Sequence, residues 1–187
     1  MTVIQHGKLD DIIYAQLDAG ADLMNSLHEV CKQEDIKTGV IMSITGALAN
    51  AHLQHFPSLI PVQPRYDVLN MADMEPFFLK MEGPLEVSGH GLIGQGWAPG
   101  VEPPDPRGFF HLSFKGHGDP YIHVHLVATN AETTICGHLM EGSAIKGRPG
   151  DLSHFTVVIA KVSGVRLQAF IAQNDGQTEW HHTLTAE

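Results

Sequence analysis

Residues 121–142 read YIHVHLVATNAETTICGHLMEG, and this segment is the most informative one for the fold. From residue 121 to 128 the side chains alternate in character, which is typical of a β-strand with two different faces. Residues 130–133 (Asn-Ala-Glu-Thr) have the composition of a tight turn, and residues 134–141 form a second strand pattern. The segment therefore predicts an antiparallel β-hairpin.

This hairpin is predicted to bring three histidines together on one face. If it is centred between residues 131 and 132, His125 lies directly opposite His138, and His123 is the diagonal neighbour of His138. Directly opposed Cβ atoms are about 4.5–5.5 Å apart, and diagonal ones about 7–8 Å. The inference depends on the register, because a slip of one residue would move His138 to the other face.

Three converging imidazoles suit a divalent transition metal, and Zn²⁺ with nitrogen ligands at about 2.0–2.1 Å and an open fourth position is our first choice. Three neutral ligands leave the charge of the ion uncompensated, so the pKa of a bound water falls toward about 7. We predict a catalytic zinc site, or one for another divalent transition metal, held by His123, His125 and His138. The alternative is that a half-exposed strand simply tolerates these histidines.

The rest of the chain predicts a single domain over residues 1–187, built as an α+β fold on a largely antiparallel sheet. Its one amphipathic helix is predicted over residues 21–34, and Gly83-Pro84 is predicted to be a turn between two strands. Irregular insertions are expected at about 57–76 and 97–119, and His181 and His182 are expected in a solvated tail. The predicted strands are 11–17, 39–47, 51–56, 77–82, 85–94, 109–115, 120–129, 134–141, 154–162 and 165–172.

The composition narrows the classes of partner. The chain has 187 residues and a formal net charge of −10, which makes nucleic acid an unfavourable partner because phosphate contacts need clustered cations. Its two cysteines, Cys31 and Cys136, cannot supply a disulfide framework, and no apolar run approaches the roughly 20 residues of a membrane span. We therefore expect a cytoplasmic protein that does not enter a membrane.

Four motifs in this order resemble the PPC domain (plants and prokaryotes conserved, also called DUF296). They are Gly46-Ala-Leu48, Glu82-Gly-Pro-Leu-Glu86, His123-x-His125 and Gly137-His-Leu-x-Glu-Gly142. The resemblance covers about residues 11–171 and implies an α+β fold that forms homotrimers, with the histidines holding a metal. The fold group is also similar to acetolactate decarboxylase and to a zinc-dependent ester hydrolase, each with an H-x-H motif and a distal histidine as zinc ligands.

Plant members of the family join the domain to AT-hooks and bind DNA. The one AT-hook-like fragment here is Gly147-Arg-Pro-Gly150, which has only Lys146 beside it and Asp151 directly after it. An AT-hook places arginines in the minor groove with further basic support. We therefore expect this fragment to be a turn between strands.

Together these observations favour a metal-dependent lyase or hydrolase that acts on a small anionic carboxylate or keto acid. Glu141 is the predicted general acid or base, although strict strand alternation points it away from His138. The cations that could hold an anionic substrate lie in or beside the insertions: Arg65, Arg107 and Lys115.

Two other functions stay open. One is a non-catalytic module, either a small-molecule sensor or a DNA-binding protein. The other is a structural metal site with four protein ligands, in which a further histidine such as His111 completes the coordination. Cys136 would share the face of His138, and we expect it to be an ordinary buried thiol.

Overall fold

Most of the residues that the structure describes lie in β-strands, and one helix packs beside them. The computed structural model describes residues 2–55, 77–96, 120–174 and 177–187. Within these ranges the elements are β1 (Lys8–Gln16), α1 (Leu23–Gln33), β2 (Gly39–His55), β3 (Phe77–Gly94), β4 (Tyr121–Thr129), β5 (Thr134–Leu139), β6 (Thr156–Ser163), β7 (Val165–Asn174) and β8 (Gln177–Ala186).

Six strands form one antiparallel sheet in the order β1-β6-β2-β3-β4-β5, and β7 and β8 form a separate two-stranded ribbon. One edge of β2 is shared between two neighbours. Its first half pairs with β6, whereas Leu53 and Gln54 near its end pair with Leu139 and His138 of β5. The last strand of the sheet therefore returns to β2, so that β2, β3, β4 and β5 close on one another at this end.

Helix α1 covers one face of the sheet, because its apolar residues recur at spacings of three and four. Leu23, Leu27 and Cys31 are buried against the sheet. On the sheet side, Ile122, Val124 and Leu126 of β4 belong to the same core. Burial of each such side chain contributes about 1.5–3 kcal/mol relative to its exposure. The neighbouring positions of β4 consequently face away from the core.

The fold class and the helix were predicted correctly, but two strand boundaries were wrong. Residues 39–47 and 51–56 were expected to be separate strands, yet β2 runs unbroken from Gly39 to His55. Likewise Gly83-Pro84 is not a turn, because β3 continues through it from Phe77 to Gly94. The register against β2 shifts between Leu48 and Asn50, so Gly83 and Pro84 lie in a β-bulge, which is a position that accepts proline inside a sheet. Gly83 is required there because a Cβ atom would lie 2.6 Å from the carbonyl oxygen of Ala49.

The C-terminal expectation was also wrong: residues 181 and 182 belong to strand β8, which pairs with β7 along its whole length, and not to a solvated tail. The predicted insertions at 57–76 and 97–119 and the predicted strand at 109–115 lie outside the described residues. Among the described residues, no helix is long and apolar enough to cross a membrane.

Candidate metal centre

The turn between β4 and β5 sets the register of the hairpin. The side-chain oxygen of Asn130 accepts hydrogen bonds from the backbone N–H groups of Glu132 (2.9 Å) and Thr133 (3.0 Å). The backbone N–H of Asn130 donates to the carbonyl oxygen of Thr133 at 3.0 Å. Asparagine favours such local side-chain bonds, which close a turn of fixed length. The fixed length of the turn then determines which residues of the two strands are opposite each other.

The observed register is the one that places the histidines together. His125 is directly opposite His138, as predicted from the centre of the turn. The pairing extends sideways, since His90 of β3 is opposite His125 and Gln54 of β2 is opposite His138. Directly paired residues share a face of the sheet. Four strands therefore contribute to one polar face, which lies on the side of β4 away from the core.

Three histidine side chains on this face form a compact cluster. One nitrogen each from His123, His125 and His138 lies within 4.8 Å of the other two. The His123 ring stacks on that of His125 with centroids 5.0 Å apart, and it meets the His138 ring edge-on at 4.7 Å. Among the described residues, this is the cluster of histidine, cysteine or carboxylate side chains that is compact enough to share a metal ion.

The donor set fits a divalent transition metal. Imidazole nitrogen is a ligand for zinc, copper, nickel and iron, and zinc–nitrogen distances are about 2.0–2.1 Å. Tetrahedral ligands at that distance are roughly 3.3 Å from each other. Nitrogens separated by up to 4.8 Å reach this spacing by small side-chain rotations, so that His123, His125 and His138 could hold such an ion.

The electrostatics around His125 favour its neutral form. Desolvation lowers the pKa of His125 below its ordinary value of 6.5, and the positive charge of nearby His90 lowers it further. A neutral imidazole is the form that binds a metal. The protein environment of His125 therefore already disfavours the proton that would compete with an ion.

Tyr121 approaches the cluster from the same strand. Its hydroxyl oxygen is 2.8 Å from Nδ1 of His123, and the tyrosine side chain is almost completely buried. Burial raises the pKa of Tyr121, so its phenol group stays protonated. Sequence reasoning missed this residue. The sequence pattern could have identified it, because residues 121, 123 and 125 share one face of a strand.

Glu141 lies beyond the end of β5, and its carboxylate is not part of the compact histidine cluster. Its carbonyl oxygen accepts a hydrogen bond from Nδ1 of His52 at 2.6 Å. The next N–H, that of Gly142, donates to Asp22 at the start of α1. The Oε1 atom of Glu141 is buried and has no hydrogen-bond partner among the described residues. The role of Glu141 as general acid or base stays a prediction.

Three further sequence-based expectations concern groups around the site. The Cys136 thiol is exposed, so the expectation of an ordinary buried thiol was wrong. The thiol is exposed because Cys136 lies on the outer face of the sheet, opposite Val127. The fragment at 147–150 is a turn, as expected, because the N–H of Asp151 donates to the carbonyl oxygen of Arg148 at 2.9 Å. The other candidates lie outside the described residues: Arg65, Arg107, His111 and Lys115.

An antiparallel α+β fold with three histidines on one strand pair defines a class of candidate metal-binding domains. The profile of the Plants and Prokaryotes Conserved (PCC) domain matches residues 4–149, so the chain belongs to this family, which is the one indicated by the histidine and glycine motifs. Among curated proteins, none matches the sequence.

Solved structures share the fold at low sequence identity. A metal-containing protein from Archaeoglobus fulgidus superposes with a TM-score of 0.63 at 17% identity, covering 97% of this chain and 99% of that one. A plant- and prokaryote-conserved protein from Pyrococcus horikoshii gives 0.62 at 18% identity, covering 96% and 97%. A protein from Bacteroides thetaiotaomicron, whose description suggests DNA binding, gives 0.59 at 13% identity, covering 95% and 96%.

Proposed function

We propose that this PCC-domain protein is a metal-dependent enzyme, with Zn²⁺ or another divalent transition metal held by His123, His125 and His138. The substrate that we propose is a small carboxylate or keto acid, and the reaction is a decarboxylation, another lyase reaction or a hydrolysis. The observation that supports the proposal is the convergence of three imidazole nitrogens within 4.8 Å of one another. The metal-containing structural neighbour from Archaeoglobus fulgidus agrees with a metal in this fold.

Among the described residues, the number and exposure of the ligands favour a catalytic site over a structural one. Structural zinc sites usually have four protein ligands, whereas catalytic sites have three and leave a position for water or substrate. His125 is exposed, and His123 and His138 are half-buried, so a small molecule can reach the cluster from the outer face of the sheet. When bound, the metal would polarise a substrate oxygen or lower the pKa of a water molecule.

The protein contributes the arrangement of these ligands. The β4–β5 pair holds His125 opposite His138, and the edge-on contact of the His123 and His138 rings restricts their rotation. An anionic substrate suits a site whose ligands are neutral, because the charge of the ion is then not cancelled by the protein. Arg65, Arg107 and Lys115 remain the cations proposed to bind the substrate carboxylate.

We also propose Glu141 as the group that transfers a proton. A buried carboxylate oxygen without a partner is uncommon and is often explained by a functional contact. A Glu141→Gln variant should lose turnover by 10²-fold or more while metal content is unchanged. Glu132→Gln, at the exposed β4–β5 turn, is the matched control. Full activity in Glu141→Gln would remove the residue from the proposal.

The proposed partners are a small molecule and further copies of the chain. An apolar patch flanks the histidines: Leu92 is opposite His123, Val40 is opposite Leu92, and Val127 follows His125 by two residues. All three apolar side chains are exposed, and exposed apolar patches often mark protein interfaces. This patch supports the homotrimer that the family resemblance implies, and light scattering after size exclusion would measure the oligomeric state.

DNA binding is the competing function, because structural neighbours include proteins described as DNA-binding. The net charge of −10 argues against it here, and the AT-hook-like fragment is a turn with Asp151 bonded to it. A mobility-shift titration at low salt tests this alternative. A salt-dependent shift at micromolar protein would favour DNA binding over the proposal.

Metal analysis of untagged protein tests the proposed centre. We expect about one equivalent of a transition metal per chain, lost in His125→Ala and in His138→Ala but retained in the control His154→Ala, whose side chain is exposed outside the cluster. Replacing the metal with Co²⁺ then tests whether a coordination position is open. Added acetate should change the visible spectrum of Co²⁺ if it can bind at such a position. A metal-free wild-type protein that also binds no added Zn²⁺ or Co²⁺ would overturn the proposal.

Turnover separates an enzyme from a sensor. The loaded protein should convert a member of a panel of keto acids, lactones and esters, and the His138→Ala variant should not. Tight binding of a carboxylate without turnover of any member of the panel would instead favour the sensor.

A further inference from the structure

The hydroxyl group of Tyr121 lies 2.8 Å from Nδ1 of His123. We propose that Tyr121 is a positioning residue of the metal centre: its oxygen accepts the proton of His123 Nδ1 and thereby presents Nε2 of that ring as the metal ligand. This inference rests on the proposed metal site, and it assigns a role to a residue outside the three ligands.

The direction of this hydrogen bond decides whether His123 can bind through Nε2. A neutral imidazole carries one N–H, and the other nitrogen has the lone pair that binds a metal. If His123 donates through Nδ1, the lone pair is on Nε2. If the Tyr121 hydroxyl donates instead, a neutral His123 carries its proton on Nε2, and that nitrogen cannot bind. Ligand histidines in metalloproteins commonly donate their second N–H to a fixed acceptor.

The geometry makes Tyr121 a rigid hydrogen-bond partner. Only 2% of its surface is exposed, whereas Tyr14 on β1 is 75% exposed. Tyr121 precedes His123 by two residues on the same face of β4, so both side chains start from a backbone held by pairing with β3. Their ring centroids are 6.0 Å apart and the planes are tilted by 46°, which is the arrangement of a hydrogen bond and not of a stack.

The other contacts of His123 oppose a ring flip, which would exchange Nδ1 with Cδ2 and Nε2 with Cε1. The ring lies against His125 at 5.0 Å with planes only 16° apart, and against His138 edge-on. A flipped ring would place Cδ2 where Nδ1 now lies, and the hydrogen bond to the Tyr121 hydroxyl would be lost. The tyrosine therefore selects both the orientation and the tautomer of one ligand.

The first test uses the metal-free wild-type protein and needs no variant. Long-range ¹H–¹⁵N correlation spectra at pH 7.5 report which nitrogen of each histidine is protonated. We expect His123 to be the Nδ1–H tautomer. Finding it as the Nε2–H tautomer would overturn the inference, because the tyrosine would then be the donor.

The second test compares Tyr121→Phe with Tyr14→Phe, which makes the same chemical change at an exposed position. Zn²⁺ affinity, measured by competition with a chromophoric chelator, should fall about 10–100-fold in Tyr121→Phe and stay unchanged in Tyr14→Phe. The His123 tautomer should also shift in metal-free Tyr121→Phe, which a purely structural role of the ring would not cause. Unchanged affinity together with an unchanged tautomer would overturn the inference.

The two proposals fail in different ways. If the wild-type protein binds no metal, or if His125→Ala binds it normally, the proposed function fails whatever the tautomer of His123. If the wild-type protein binds metal through the histidines and Tyr121→Phe binds it equally well, only the role of Tyr121 fails. If Tyr121→Phe does not fold, the tautomer of the wild-type protein still decides the inference.

Discussion

His125 lies directly opposite His138 across the β4–β5 pair, and this relationship depends on a turn in which one asparagine oxygen accepts two backbone N–H groups. A turn of different length would displace the register and move one histidine to the other face. The histidine cluster is therefore coupled to the chemistry of Asn130, which lies five residues from His125 in the sequence.

Asn130→Ala should destabilise the hairpin, because it removes the acceptor of two hydrogen bonds. We expect the free energy of unfolding to fall by about 1–2 kcal/mol, measured by urea denaturation. Glu132→Ala in the same turn keeps both N–H donors and their acceptor, and it should stay within about 0.5 kcal/mol of the wild type. Equal losses in both variants would contradict the assigned role of Asn130.

Asp22 connects the start of the helix to the turn after β5. One carboxylate oxygen accepts from the N–H of Asn25 at 2.9 Å, and the other accepts from the N–H of Gly142 at 2.7 Å. Asp22→Ala should lower the free energy of unfolding by about 1–2 kcal/mol, since it removes a helix cap and a tertiary bond together. Asp18→Ala, at an exposed neighbouring position, is the control and should be near neutral. An unchanged midpoint in Asp22→Ala would contradict the prediction.

The two cysteines should differ sharply in reactivity. Cys136 is exposed, whereas Cys31 is buried and its burial raises its pKa to about 12. Because the thiolate is the reactive form, a disulfide reagent such as DTNB at pH 8 should modify one thiol quickly and the second only after unfolding. Cys136→Ser should abolish the fast phase. A fast phase of two thiols in the native wild-type protein would contradict the burial of Cys31.

The stability of the metal-free protein should decrease in acid partly because of His125. The pKa of His125 is lower in the folded protein than its ordinary value of 6.5, so the unfolded chain binds the proton first as the pH falls. Protonation of this histidine in the unfolded chain therefore lowers the free energy of unfolding below about pH 6.5. Above that pH the effect is absent, because the imidazole is neutral in both states. Melting temperatures between pH 7.5 and 5.5 should fall less in His125→Gln than in the wild type. An equal fall in His125→Gln and in the control His154→Gln would contradict the role of His125.

Prediction from sequence succeeded where the signal is local. Alternation within residues 121–128 and the composition of the turn were enough to pair His125 with His138, because strand faces and hairpin register depend on neighbouring residues. It failed at Gly83-Pro84, where a local turn signal lies inside a long strand. The bulge opposite Ala49 exists because β2 and β3 pair along most of their length, and no short window of sequence contains that pairing.

The sequence by itself therefore determined the α+β class, the amphipathic helix at 21–34, the histidine hairpin and the family, since each depends on residues close together in the chain or on motifs in a fixed order. Only the tertiary structure decided that β5 returns to β2, that His90 and Gln54 join the polar face, and that the Tyr121 hydroxyl reaches His123. These contacts join strands that are far apart in sequence, or depend on side-chain rotamers. Both are selected by packing of the whole domain and not by local periodicity.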